Sequence, residues 1–166
     1  MREAITQLNT ISHTAEVFRA EMNRLASQLP EYETVMAMTG VGPSVGPQLM
    51  AEIGDVRRFA QKGSLVAFAG IDPGRDDSGS KVSNKGRIGK RGSPHLRKTL
   101  FVIMSILLQL RPEDDPVYQF LDKKRSEGKP FYVYMTAGGT KFLRIYYGRV
   151  RDCLKEMGLW DEPVTD

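Results

Sequence analysis

Residues 93–110 read SPHLRKTLFVIMSILLQL, and this stretch decides the fold. Ser93 is a good helix N-cap, and Pro94 suits the first helical position, where its missing N–H costs nothing. From there Leu96, Leu100, Ile103, Leu107 and Leu110 step by three or four, and the segment is apolar nearly all round. That is the pattern of a helix buried on most sides. The stretch therefore predicts a central core helix running to about Leu110.

Toward the C-terminus, RPEDDP reads as a loop, and Asp115 with Pro116 begins a helix through Val117, Phe120 and Leu121 to a stop at Gly128. A last helical region over residues 131–157 carries Phe142, Ile145, Tyr146 and Val150. Toward the N-terminus, Ile5, Leu8, Ala15, Phe18, Met22, Leu25 and Leu29 follow three- and four-residue steps, with Ser12 in the one polar seam position. They predict one amphipathic helix over residues 3–29, ended by Pro30. The stripe is narrow and close to heptad spacing, which suits a coiled-coil seam and equally a helix lying on its own domain's core. Short helices are expected over 32–38, from TGVGP to Glu52 or Ile53, and over 64–69 before Gly70. Strand-like alternation is nearly absent. The expected fold is all-α, with residues 1–30 as a linker or coiled-coil helix and 31–166 as a helical domain.

A chain of 166 residues with 40% hydrophobic content is one domain's worth of core. Its longest apolar run, around residues 100–108, is interrupted by Ser105 and falls short of the ~20 residues that cross a bilayer. No membrane partner is expected. MREAITQLNT lacks an apolar stretch behind its first basic residue, which predicts no secretory signal. A lone Cys153 gives no disulfide framework, so the expected compartment is the cytoplasm. His13, His95 and Cys153 are scattered, and neither a zinc site nor another cofactor is expected within this chain.

Charge is distributed unevenly. Lys and Arg number 24 against 20 Asp and Glu, and removing Lys81, Lys85, Arg87, Lys90, Arg91, Arg97 and Lys98 leaves 17 against 20. These seven stand in DDSGSKVSNKGRIGKRGSPHLRK, residues 76–98, which is punctuated by Gly79, Gly86, Gly89 and Gly92 and holds no acid after Asp77. Ordinary solvated surfaces mix signs. A one-signed segment, with His95 inside it, fits a polyphosphate partner, and nucleic acid is the natural one.

Residues 38–54, MTGVGPSVGPQLMAEIG, have the shape of a helix-hairpin-helix joined by Gly40, Val41 and Gly42. Glycines there permit positive φ and close approach to a phosphate, with Val41 plugging the gap between helices. The plainer reading is a tight helix-helix turn with no ligand. The apolar face Val45, Leu49 and Ile53 favours contact with a DNA backbone. Pro47 counts against it, because inside the second helix it removes an amide and crowds the carbonyl of Pro43. Ser78, between Asp77 and Gly79, is either a turn former or an exposed nucleophile. Lys81, Arg87 or Lys90 could hold a phosphate beside it, but no activating base is evident. Asp55, Asp72, Asp76 and Asp77 read as caps and turns rather than a metal-dependent nuclease.

TGVGP, AEIGDVRRF, LVAFAGIDP, SGSKVSNKGRIGKRGSPHLRKTL and KFLRIYYGRVRD occur in this order. With them the chain resembles, over residues 32–152, the C-terminal domain of transposases of the insertion-sequence one-ten family, the RNA-guided serine recombinases of mobile elements. Residues 69–96 are the most specific part. The resemblance implies that Ser78 is the nucleophile that attacks a DNA phosphodiester and holds it as a phosphoserine. It also implies DNA and a structured guide RNA as partners, a homo-oligomer, and a divalent metal such as Mg held by four acids of a separate N-terminal domain. The isolated chain is then expected to be inactive. Three departures stand out: Ser80 where the family has Gly, Gly46 and Pro47 where it has small non-proline residues, and Gly138 and Gly139 where it has a regular helix. The last two put helix continuity at issue. Besides the serine-bearing part of a recombinase, a purely binding helix-hairpin-helix module and a non-functional transposase remnant remain open at this level.

Overall fold

The computed structural model describes residues 1–71 and 91–160. Among these the protein is all-α, with no strand: α1 (Arg2–Ala26), α2 (Tyr32–Met36), α3 (Gly46–Ile53), a 3-10 turn (Val56–Arg58), α4 (Lys62–Ala69), α5 (Pro94–Leu110), α6 (Pro116–Ser126) and α7 (Phe131–Glu156). The caps expected from sequence are in place. Ser93 Oγ accepts the Leu96 N–H at 3.1 Å, and Asp115 Oδ1 accepts from Val117 and Tyr118 at 2.9 and 2.8 Å. Pro94 and Pro116 occupy the first turns of their helices, where a missing donor is harmless.

Two helices share the centre. α7 packs against α2, α4, α5, α6 and the 3-10 turn, while α5 packs against α3, α4, α6 and α7. Their shared core holds Leu96, Leu100, Ile103 and Leu107 from α5 with Phe142, Leu143, Tyr146 and Val150 from α7, all buried. Leu110, expected in that core, is exposed, because it is the last residue of α5 and the left-handed Arg111 turns the chain away. Tyr147 fastens α7 to the 3-10 turn by donating its hydroxyl to the Phe59 carbonyl at 3.0 Å. Burial pushes the Tyr146 phenol above its ordinary pKa, with the Glu31 carboxylate adding to the shift, so this ring stays protonated in the core.

The glycine pair does not interrupt the last helix. α7 is continuous through Gly138 and Gly139, and both are buried. A Cβ on Gly138 would collide with the Leu121 side chain of α6 and crowd the Met104 sulfur of α5, so the missing side chain lets three helices meet. Pro47 likewise does not break its helix. α3 begins at Gly46, which puts Pro47 in its first turn, and a Cβ on Gly46 would meet the Met36 sulfur of α2.

α1 differs from its expected form in extent and in seam. It ends at Ala26 rather than near residue 29. Leu8, Ile11, Ala15, Phe18, Met22, Leu25 and Leu29 make an unbroken three-four stripe, with Ile11 in the seam and Ser12 beside it. Of the helix only Ala26 is buried; Ile11 and Phe18 are 66% and 65% exposed. The stripe therefore does not lie on its own domain's core. The end of α1 is tied down by its packing on α3 and by Asn23, whose amide donates to the Pro43 carbonyl at 2.6 Å.

Two alanine substitutions in α7 should have opposite signs. Gly138→Ala overpacks the α6–α7 contact and should destabilise by about 1–3 kcal/mol. Gly148→Ala, where a Cβ meets nothing within 4 Å, should stabilise by about 0.5–1 kcal/mol. Urea unfolding midpoints read both.

Candidate nucleic-acid interface

The described residues on either side of 72–90 meet at one point of the fold. α4 stops at Gly70, whose φ of 65° is the left-handed cap that glycine adopts without strain, and Ile71 follows, buried. The chain returns at Arg91 and Gly92. A Cβ on Gly92 would collide with the Phe68 carbonyl oxygen and the Gly70 nitrogen, so the two strands of chain touch backbone to backbone here. Ser93 N–H donates to the Phe68 carbonyl at 2.8 Å. Arg97, one turn into α5, donates from Nη1 to the Ala69 carbonyl at 3.1 Å and to the Gly92 carbonyl at 3.2 Å. Its guanidinium thus clamps outgoing and incoming chain together. Ser93 Oγ also reaches Glu52 Oε2 of α3 at 3.4 Å, which links the clamp to the third helix.

Of the residues picked out from sequence, Ser78, Lys81, Lys85, Arg87 and Lys90 lie outside the described residues. The others separate into two groups. Arg91, His95 and Lys98 are exposed around the stem, at the start of α5, and Arg97 is half-buried as the clamp. Gly40, Val41 and Gly42 lie toward the other end of α5, since a Cβ on Gly40 would press on Leu107 and Ile103. The rise of an α-helix puts Ile103 about 12 Å along the axis from His95.

The hairpin itself has part of the expected geometry. Gly40 has φ of 81°, and Val41 is buried beside Gly46 at the start of α3. The opening of α3 offers few amides to an anion. Val45 and Gly46 both donate to the Gly42 carbonyl, at 3.0 and 2.7 Å, and Pro47 has no N–H.

Arg58 was not singled out in the sequence, and it stands at the root of the same stem. Its guanidinium lies 4.6 Å from the Phe59 ring centroid and 4.5 Å from that of Phe68, the residue whose carbonyl closes the stem. The signal was present in AEIGDVRRF, where an arginine precedes an aromatic, but the second ring comes from α4 and only folding brings it near. Neighbouring Arg57 grips Asp55 at 2.9 Å, and that side-chain hydrogen bond, working against desolvation, holds the Asp55 carboxyl below its ordinary range. Among the described residues no group of three His, Cys, Asp or Glu side chains is placed to hold a metal ion, and no helix is long and apolar enough to cross a membrane.

Residues 32–119, which contain the hairpin, the stem and both of its helices, match the family model described as transposase IS116/IS110/IS902. The chain belongs to that family. Among curated relatives of this transposase chain, the pilin gene-inverting protein of Moraxella bovis is 29% identical over 150 residues, 90% of this chain and 44% of that protein. The insertion element IS116 uncharacterized 44.8 kDa protein of Streptomyces clavuligerus is 33% identical over 96 residues, 58% of this chain and 23% of that protein. A transposase for insertion sequence element IS1111A from Coxiella burnetii is 31% identical over 83 residues, 50% of this chain and 22% of the relative. The chain thus spans less than half the length of these relatives.

The clamp and the exposed cations should respond differently to truncation. Arg97→Ala removes a charged donor from two carbonyls and should destabilise by about 1–3 kcal/mol. Lys98→Ala should leave stability within about 0.5 kcal/mol, since the side chain is exposed and unpaired among the described residues. Thermal unfolding of the two variants measures the contrast.

Proposed function

We propose that this chain is the DNA-engaging part of a transposase and carries Ser78 as the nucleophile for strand cleavage and recombination of a mobile element. The observation that carries the reading is the family match over residues 32–119, which spans Ser78 and the whole basic segment. The stem gives it a physical basis: a clamp joins α4 to α5, and Arg58, Arg91, His95 and Lys98 stand round it where phosphates would be gripped.

In the proposed step, Ser78 Oγ attacks phosphorus, a serine–phosphate ester forms, and the bond from phosphorus to a deoxyribose oxygen breaks. The serine proton passes to a base, and the departing oxygen takes up a proton. Because the ester retains the phosphoryl group, attack on it by another strand's hydroxyl reverses the chemistry and joins DNA. Arginines and lysines of the basic segment neutralise charge developing on the phosphoryl oxygens. A divalent metal, held by acids of a separate domain, would supply further charge stabilisation. A structured RNA is a further proposed partner, because A-form and B-form backbones present the same phosphates to this surface.

We further propose that the chain acts as a homo-oligomer joined through α1. The stripe from Leu8 to Leu25 is exposed, and its end runs into an apolar groove of about 570 Å³ lined by Met22, Leu25, Leu29, Met50, Leu154 and Leu159. A second copy's α1 would cover both.

Binding should be dominated by phosphates. With about four cations engaged, log affinity for duplex DNA should fall against log salt with a slope near −3.6. Charge reversal at Arg87, Lys90 and Arg91 should weaken all sequences alike. In a full-length relative carrying this segment, Ser78→Ala should abolish the covalent protein–DNA adduct and recombination while nucleic-acid affinity stays nearly unchanged. Normal recombination by that variant would reduce the chain to a binding module. Sedimentation should show an oligomer that dissociates to monomer when residues 1–29 are removed, and an unchanged mass would overturn the role given to α1.

A further inference from the structure

The start of α7 exposes more aromatic surface than a helix terminus requires. Tyr132 is 73% exposed and Phe131 49% exposed. They are nonetheless held in place. Tyr132 rests on Phe101 of α5 with centroids 6.2 Å apart, and Phe131 stands edge-on to Tyr132 at 5.3 Å and to Tyr134 at 5.5 Å. Tyr132 is thus flanked by two rings, one tilted against it and one at right angles, while most of its surface is in water. No element of the described fold covers it.

The surroundings are basic. Lys129 precedes the Pro130 N-cap of α7 and is exposed, and the one acid in the turn before it, Glu127, is engaged by Lys124 at 2.8 Å. Phe101, on which Tyr132 rests, lies three residues beyond Lys98 on α5, a rise of about 5 Å, and His95 is one turn further back. The rings are therefore continuous along α5 with the cations around the stem.

We propose that Phe131 and Tyr132 form a stacking platform for unpaired nucleobases, so that a single-stranded stretch of nucleic acid lies with its backbone along Lys98 and His95 and its bases on these rings. The inference rests on the phosphate-binding reading of the stem and adds a second kind of contact to it. Supported aromatic faces beside cations are what single strands bind, since every base has a π-face and each phosphate a charge. The flanking cations set this patch apart from a protein-docking surface. Phe131, Tyr132 and Val133 are also far fewer than the roughly 20–30 residues a side of a stable protein interface.

The test uses the full 166-residue chain with labelled oligothymidylate, oligouridylate and a duplex of mixed sequence, read by fluorescence anisotropy. Tyr132→Ala should weaken binding to one or both single strands about five- to hundredfold and leave duplex affinity unchanged, and Tyr132→Trp should restore it. The thymidylate and uridylate arms distinguish displaced DNA from RNA as the source of the bases. Tyr132 is exposed enough for the variants to fold, and far-ultraviolet circular dichroism checks this. Unchanged single-strand affinity in Tyr132→Ala overturns the platform, as does failure of Trp to restore binding, or a change in sedimentation mass without a change in binding. If duplex binding keeps its salt slope in those cases, only the platform fails. If the unmodified chain binds neither duplex nor single strand, the phosphate-binding reading fails first and takes the platform with it.

Discussion

The backbone contact between Gly70 and Gly92 is the constraint on which the organisation of this molecule depends. Holding together the ends of the intervening segment costs loop-closure entropy of roughly 2–3 kcal/mol for about twenty residues. Against this stand the Ser93–Phe68 backbone bond and the two bonds from Arg97, and hydrogen bonds with a charged donor contribute about 1.5–3 kcal/mol. Together the three bonds exceed that closure cost. One guanidinium therefore helps hold the end of α4 against the start of α5, two helices that burial in the core also fixes. That is a structural job for a residue whose charge suggested only ligand binding.

α5 sets the layout of everything else. Its first turn carries the cap, the clamp and the exposed His95 and Lys98, while its far half supports the Gly40 turn through Ile103 and Leu107. Between these ends it is buried against α7, and that packing is close because Gly138 lets α6 and α7 approach while Met104 fills the space beside them. A change in the register of α5 would shift both candidate contact regions together. The separation of about 12 Å between them is a property of one rigid helix rather than of two loops.

Most of the helical scaffold was legible because its signals are local. Ser93-Pro94 and Asp115-Pro116 mark helix starts through side-chain bonds within three residues, and the apolar steps of α5 and α7 need only the helical period. The errors came from information held elsewhere in the chain. Gly138 looks like a helix breaker until Leu121 is seen occupying the space of its missing side chain. Pro47 looks disruptive until α3 is seen to start at Gly46, which puts the proline in its first turn. The structural role of Arg97 is hidden until Ala69 and Gly92 present their carbonyls to it, and Arg58 is unremarked until Phe68 arrives from α4. The role proposed for Ser78 rests on family resemblance alone, because a serine between aspartate and glycine has the same local chemistry in any turn.

Electrostatics makes the stem one place to expect phosphates. Several cations elsewhere are matched by acids: Arg24 by Glu21, Arg57 by Asp55, Lys124 by Glu127 and Arg151 by Asp152. Exposed pairs of this kind contribute little stability, but they cancel one another's field at a distance. Arg91 and Lys98 have no ion-pair partner of this kind among the described residues, and they stand with Arg58 where the chain leaves and rejoins the described fold. Phosphate contacts of that kind position a backbone without reading its sequence. Discrimination between paired and unpaired strands then has to come from surfaces that touch bases, and Phe131 and Tyr132 offer an exposed aromatic surface along the same helix.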